Sequence, residues 1–452
     1  MPRPGPIARL AGAAALMLAL AVGAAPARDL TPDQMRRAGY DAQAAGQAEL
    51  AVQIAQALIA RDPADAVAHV ILSRALRDLG RFDPAATAAR RAWALATDDA
   101  QRYGAALAAA QALSSAGQRT AAQLWLRRAA QVAPTPLART IAERDHAYVR
   151  SRNPWSLRLD LSVAPSSNVN NGSSQDSFDF LGLPFVLSGD ARALSGVETR
   201  LGLSARYRLP PSGRGQTALR LSLQQTVVDL SEAARTQAPG ARGSDYDFAA
   251  VEAGLSWQRP GRVGWGVEAT LGHNLYGGAP LSDYLRLDLT ADRRLGRGRA
   301  FAGLGLERQI RRDLAMRSAS ILTLRGGWTQ PLARGDRLQL AAGARRSLSD
   351  AVEIDHTALT LSADWQRAAP LPMDLRLGLS LGVEARDYAI SPYTADGRQD
   401  LRLTGAVSLG LERLDYLGFH PVLRIEAGQV RSNVALYDSQ TLGLSLGLRS
   451  SF

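Results

Sequence analysis

The sequence predicts an α-helical repeat domain followed by a transmembrane antiparallel β-barrel of about 14 strands. Three observations predict it. Composition and period change near residue 150: residues 30–148 are Ala-rich with helical spacing, whereas residues 155–452 are rich in Gly, Leu and Arg and alternate with period two. The second stretch resolves into about fourteen alternating segments. The chain then ends on Thr441–Phe452, where Leu442, Leu444, Leu446 and Leu448 alternate with Gly443, Ser445, Gly447 and Arg449 before the terminal Phe452. A last alternating strand that stops on an aromatic residue is the assembly signal of outer-membrane barrels, so Leu444, Leu446, Leu448 and Phe452 are assigned that role. Ser450 weakens it, because the alternation wants an apolar side chain there.

Taken in order, residues 1–27 read as a secretory signal. Arg3 and Arg9 supply the positive start, Leu10 to Ala25 an apolar run, and Ala25-Pro26-Ala27 a small-x-small site, with cleavage expected between Ala27 and Arg28. The mature chain then divides into residues 28–150 and 151–452. There is no cysteine, so disulfides and thiolate metal sites are excluded. No later stretch has the 18 or so unbroken apolar residues of a spanning helix. A barrel can still span, because it pairs every backbone group.

The first region repeats. Gly46, Gly80 and Gly117 lie 34 and 37 residues apart, each with small Ala residues behind it. Asp62-Pro63, Thr97-Asp98 and Ala133-Pro134 close successive helix pairs. The pattern resembles tetratricopeptide repeats, about three of them. The glycines permit the tight turn within a pair, Ala lets helices approach, and Pro stops the second helix. Leu58, Leu76, Trp93, Leu107, Leu113, Trp125 and Leu126 are the expected packing positions. Such a stack is either a spacer or a groove that captures a peptide or partner protein.

The barrel segments are expected near 155–163, 195–209, 216–229, 246–258, 262–275, 282–295, 299–311, 318–330, 336–348, 355–367, 373–388, 399–414, 420–432 and 440–452. Apolar residues should face lipid and polar ones the lumen. The aromatic residues test the direction. Trp155, Tyr207, Trp257, Trp265, Trp328 and Trp365 all fall at one end of the barrel with the parity of the apolar face. They form an interfacial girdle. The turns at that end are short, and the two longest connections, about 164–194 and 230–245, are at the other. Short turns mark the periplasmic side, so the repeats should lie in the periplasm.

Charge and motifs exclude other classes. The net charge is +11, but the cations are all Arg and are spread along the chain, so nucleic acid is not the partner. The five histidines (His69, His146, His273, His356 and His420) are dispersed, and no nucleophile elbow or phosphate loop is present. The chain therefore reads as a non-enzyme without cofactor or metal. Lumen charges of both signs, among them Glu252, Arg286, Asp288 and Glu307, either pair with one another or guide cargo.

Signal, repeats and terminal barrel together resemble the surface lipoprotein assembly modulator (Slam) family. Two stretches carry the match. Ala164-Pro165-Ser166-Ser167-Asn168-Val169-Asn170-Asn171 resembles that family's Asp-Ser-Asn-x-Asn stretch, with Pro165-Ser166 where Gly-Asp is expected. Tyr416 to Pro421, then Arg431-Ser432-Asn433 and Leu436-Tyr437, resemble its C-terminal block. Ser167, Asn168, Asn170, Ser432 and Asn433 are thus the family-like positions; Asn and Ser also suit ordinary loops. The resemblance implies an outer-membrane translocator that delivers specific client proteins, surface lipoproteins above all, from periplasm to cell surface. Its partners would be a client lipoprotein or secreted protein, outer-membrane lipid and the barrel assembly machinery. An exopolysaccharide export barrel and a general diffusion porin are the alternatives.

Overall fold

Seven helices come first: α1 (Pro32–Ala44), α2 (Ala48–Arg61), α3 (Ala66–Asp78), α4 (Phe82–Leu95), α5 (Asp99–Ser115), α6 (Arg119–Gln131) and α7 (Pro136–Arg152). They and the strands below are seen in a computed structural model that describes residues 30–450 apart from Leu181, Asp415 and Gly418. The expected signal, its Ala27–Arg28 cleavage site and Phe452 lie outside the described residues. The chain divides into two units at Ser151–Arg152.

Each helix pair starts and turns by the same local chemistry. The first helix of a pair has a side-chain cap: Thr31 accepts from the Gln34 amide at 3.3 Å, Asp65 from Ala68 at 2.9 Å and Asp98 from Gln101 at 2.8 Å. The second helix follows a glycine instead. Gly46, Gly80 and Gly117 have φ of 74°, 74° and 78°, the left-handed region that only glycine enters without strain. Behind each, the next amide reaches back to close the first helix: Gln47 to Ala42 O, Arg81 to Leu76 O and Gln118 to Leu113 O, at 2.8, 2.8 and 2.9 Å. The interior is built from alanine, with Ala51, Ala55, Ala75, Ala85, Ala89, Ala105 and Ala109 fully buried. Leu58, Leu76, Leu113 and Leu126 are buried among them, while Trp93 and Trp125 meet edge to face at 5.5 Å. The repeats run half a unit beyond the three pairs expected. Thr135 caps α7 through the Ala138 amide, and that helix leads into the barrel.

The barrel closes on fourteen antiparallel strands: β1 (Trp155–Ser166), β4 (Gly196–Arg208), β5 (Gln216–Leu230), β6 (Phe248–Arg259), β7 (Val263–Tyr276), β8 (Ala279–Leu295), β9 (Gly298–Arg311), β10 (Ala319–Pro331), β11 (Arg337–Ser349), β12 (His356–Gln366), β13 (Leu375–Tyr388), β14 (Arg398–Leu411), β15 (Phe419–Ser432) and β16 (Ser439–Ser450). Sequence neighbours pair throughout, and β1 pairs with both β4 and β16. A small hairpin, β2 (Ser177–Phe180) with β3 (Leu183–Val186), stands apart from the barrel in the first long connection. A short helix, α8 (Glu232–Gln237), occupies the second. Neither was legible from periodicity.

Burial in this unit is inverted. On β1 the side chains of Leu157, Leu159, Leu161 and Val163 point outward and are exposed; on β13 Leu379, Leu381 and Val383 do the same. Their neighbours of opposite parity, such as Arg158, Asp160, Ser380 and Glu384, point inward. A soluble barrel buries its apolar residues inside, so this one is built for an apolar surrounding. It is a transmembrane barrel. We call the end where β1 begins the near rim and the end where β1 finishes the far rim.

Candidate functional site

The inner wall of the barrel carries a network of charges from six neighbouring strands, β5 to β10. Arg220 on β5 bonds Glu268 on β7 at 2.7 Å and approaches Glu252 on β6 at 3.7 Å. Arg286 on β8 bonds Asp288 at 3.1 Å and lies 3.6 and 3.7 Å from Glu252 and Glu307. The Tyr284 hydroxyl donates to Glu252. Arg325 on β10 reaches Asp288 at 3.7 Å. Arg220, Glu268, Arg286, Asp288, Glu307 and Arg325, with Arg345 and Thr290, line a polar cavity of about 480 Å³. Elsewhere in the lumen Arg200 pairs with Glu198, Arg386 with Glu384 and Arg424 with Glu426. Opposite charges on β5 to β10 tie neighbouring strands along the inner wall and make that wall polar. Among the described residues no cluster of three His, Cys, Asp or Glu could hold a metal ion, and no helix is long and apolar enough to cross a membrane.

At the far rim Ser167 and Asn168 clasp the seam where β1 meets β16, while Ser432 and Asn433, about 265 residues further on, hold neighbouring connections and are linked to the first stretch through Asp438. The Ser167 amide donates to Leu442 O at 3.0 Å, and Leu442 N donates back to Ser167 Oγ at 2.9 Å. Asn168 is buried; its amide donates to Gly172 O and to Gln440 O at 2.9 and 3.3 Å, and its Oδ1 accepts from Gly172 N at 2.9 Å. Asn170 gathers the other end of the same loop through Asp190 O, Arg192 O and the Leu194 amide, at 2.9, 2.8 and 2.8 Å. Ser432 Oγ accepts from Val434 N at 3.2 Å. Asn433 ties the β13–β14 connection by accepting from Gln399 N and donating to Gly397 O, at 2.8 and 3.0 Å.

Two groups at this rim escaped the sequence reading. Asp438 is the hub of the clasp. Its carboxylate accepts from Ser432 N at 2.8 Å and Gln175 Nε2 at 3.2 Å, and its carbonyl accepts from Ser174 N at 2.8 Å. The second group is aromatic. Phe178 and Phe180 on β2 and Phe185 on β3 cluster with Tyr393, which meets Tyr437 at 6.0 Å. The Arg398 guanidinium lies 3.6 Å from the Tyr388 ring centre and 3.8 Å from that of Tyr437, buried beside Asp400 at 3.3 Å. The only sequence signal was the run of aromatic residues inside stretches that otherwise read as loop.

The near rim holds the other expected positions. Trp155 and Tyr207 are cross-strand partners with ring centres 4.8 Å apart. Trp257 and Trp265 are exposed on the outer face; Trp328 is half-buried, its indole donating to Gln330 at 3.0 Å, and Trp365 is also half-buried between Leu338 and Leu379. On β16, Leu444, Leu446 and Leu448 point outward and are exposed. Connections at this end run from the two-residue turn after Leu295 to the eight residues between β12 and β13, against nearly thirty between β1 and β4 at the other.

In the helical unit burial and neighbouring charges move the titration of several groups, Tyr40, Asp78 and His146 among them. Burial pushes the Tyr40 phenol up, opposed by the charge of Arg74. Burial would also raise Asp78, yet hydrogen bonds from Gln43 and Arg77 and the Arg77 and Arg74 charges hold it below the usual carboxylate range. Burial lowers His146 on α7 to about 4, with Arg127 and Arg150 adding to the effect.

No family model matches the chain, and no curated protein does. Solved structures match each unit separately. The type III secretion translocator chaperone SycD of Yersinia enterocolitica is 19% identical over 30% of this chain and 97% of its own, with a TM-score of 0.24. The outer-membrane protein opdK of Pseudomonas aeruginosa is 8% identical over 65% of this chain and 98% of its own, TM-score 0.33. The outer-membrane channel DcaP of Acinetobacter baumannii is 10% identical over 65% and 96%, TM-score 0.37.

Proposed function

We propose that this protein is an outer-membrane translocator: its helical repeats capture a client protein in the periplasm, and its barrel delivers that client to the cell surface. The surface lipoprotein assembly modulator resemblance names the client class, surface lipoproteins. The observation that carries the reading is a helical repeat domain in one chain with a barrel whose inner wall is lined by its own ion pairs. A diffusion pore has no use for such a repeat domain. An export barrel for polysaccharide calls for a lumen of one sign or a ladder of aromatic sugar platforms, and the inward-facing residues here are charges of both signs with few rings.

The short turns and the tryptophan girdle support a near rim on the periplasmic side, and β1 follows α7 directly in the chain, so in this reading the repeats would lie in the periplasm. The sequence carries no phosphate-binding Gly-rich loop before a helix. The driving force is then client folding outside or tighter binding at the surface than at the capture step. A fourteen-strand lumen whose inner wall carries Arg220, Arg286, Glu252 and Glu268 is too narrow for a folded domain, so the client would cross unfolded or along the barrel wall.

Deleting residues 30–148 while keeping the barrel tests capture. The variant should insert normally and should abolish surface exposure of at least one lipoprotein in whole-cell biotinylation. An unchanged surface proteome sinks the reading. Planar-bilayer recording separates the porin alternative, which requires a large steady conductance from the intact chain.

A further inference from the structure

The first helices of successive pairs share one face of the repeat domain. Stripes on α1 (Arg36, Tyr40, Gln43), α3 (Val67, Arg74) and α5 (Gly104, Leu107, Gln111) follow helical spacing and lie side by side. Three polar contacts join them: Arg36 to Asp65 at 3.0 Å, Gln43 to Asp78 at 2.9 Å and Arg77 to Gln111 at 2.7 Å. Tyr40, Val67 and Leu107 are partly buried and pack on the core, giving this face an apolar floor. An added Cβ at Gly104 would meet no atom within 4 Å, so the face is open there.

Arg74 is the exception among the cations of this face. Its guanidinium lies 5.7 Å from the Tyr40 ring centre, and its Nε is buried without a hydrogen-bond acceptor. Among the described residues no carboxylate lies within ion-pair distance of it. The two nearest acids are already engaged. Asp65 takes Arg36 and caps α3; Asp78 takes Arg77 at 2.6 Å and Gln43. A half-buried guanidinium that has lost water and gained no anion is unfavourable unless something supplies one. Arg77 leaves the Gln111 amide nitrogen free to donate beside it, because only the Gln111 oxygen is taken.

We propose that Arg74, over Tyr40, is the anion-binding position of a peptide groove, and that the occupant is an unfolded client segment in which a carboxylate is flanked by apolar side chains. The segment would lay apolar residues on Tyr40, Val67 and Leu107, and its carboxylate would pair bidentately with Arg74. This rests on the capture reading above and specifies its chemistry. The carboxylate can come from an Asp or Glu side chain or from a chain terminus.

The test uses the full-length protein in detergent and three fluorescein-labelled peptides, read by anisotropy: one alternating Leu and Glu with an amidated end, one with Gln for Glu and an amidated end, and the Gln peptide with a free C-terminal carboxylate. The Glu peptide should bind about tenfold tighter than the amidated Gln peptide, the worth of one charge-assisted contact. Arg74→Gln should erase that preference, Arg74→Lys should keep part of it, and Gly104→Phe should weaken every peptide by filling the face. A gain confined to the free-carboxylate peptide assigns the source to a chain terminus. If Arg74→Gln loses its helical circular dichroism, Arg74→Lys and salt decide: added salt must weaken the Glu peptide and spare the Gln peptide. Equal binding of all three, or a preference that survives Arg74→Gln, overturns the anion position and leaves capture standing. Binding of none overturns the groove, and the display experiment then judges capture alone.

Discussion

The two units use leucine in opposite ways. In the helical unit Leu58 and Leu113 are about 1% exposed, and alanines fill the space between the helices. In the barrel Leu361 and Leu381 are 62% and 67% exposed, and the interior is held by Arg and Glu. One chain thus solves burial twice, against itself in water and against lipid in a membrane. Exposure alone therefore does not say whether a residue is stabilising; the solvent it faces decides.

Two leucines of matching exposure separate these cases most sharply. Leu361, mid-strand on β12, and Leu124 on α6 are 62% and 58% exposed. Leu361→Arg should destabilise the inserted barrel by about 2–4 kcal/mol, because the charge enters the hydrocarbon region. Leu124→Arg should change the repeats by no more than about 0.5 kcal/mol. Urea unfolding in lipid vesicles, followed separately through strand and helix signals, reads both. Equal effects would mean that the outer face of β12 is not lipid-facing.

The next test breaks the helical side of the comparison. Ala109 is fully buried beside Ala89, Ala92 and Val70. Ala109→Leu should overpack that interface and cost about 1–3 kcal/mol in the helical transition. The strand transition should stay in place. A shift of both would show that the units unfold together.

Much of this architecture could be read from period and turn chemistry, and the failures are instructive. Period two located the fourteen strands because lipid and lumen impose opposite polarity on alternate residues. Gly46, Gly80 and Gly117 marked the helix turns because only glycine takes that backbone cheaply. The β2–β3 hairpin was hidden because four-residue strands carry too little period to stand out from a Ser-, Asp- and Gly-rich loop. Asp438 was illegible for another reason. Its partners Ser173, Ser174 and Gln175 are distant in sequence, and nothing local distinguishes it from any other turn aspartate. The same holds for Arg74, whose significance lies in what Asp65 and Asp78 are already doing.

The clasp at the far rim offers a smaller effect. Asn168→Ala leaves Gly172 N with only its longer bond to Asn170 Oδ1 at 3.3 Å and removes the donor to Gln440 O, at a cost on the order of 1 kcal/mol. The barrel strands should hold, but limited proteolysis should cut the 167–195 loop faster. A loop as resistant as before would show that Asn170 and Asp438 suffice to hold it.

The smallest expected difference is in pH response, and it follows from His146. Its imidazole sits at about 4 in the folded helical unit, through burial first and then the Arg127 and Arg150 charges. In the unfolded chain a histidine titrates near 6.5. Between these values the unfolded chain binds a proton that the folded unit refuses. The stability His146 contributes is therefore fully present above about pH 6.5 and is lost as pH falls toward about 4. Melting of the helical signal should move to lower temperature across that window. His146→Leu should flatten the dependence, since it keeps the burial and removes the proton site. A slope that persists in this variant would assign the acid response to Asp78, whose carboxyl is held below the usual range by Gln43 and Arg77. In that case the two units would differ in acid through their surface ion pairs and not through a buried base.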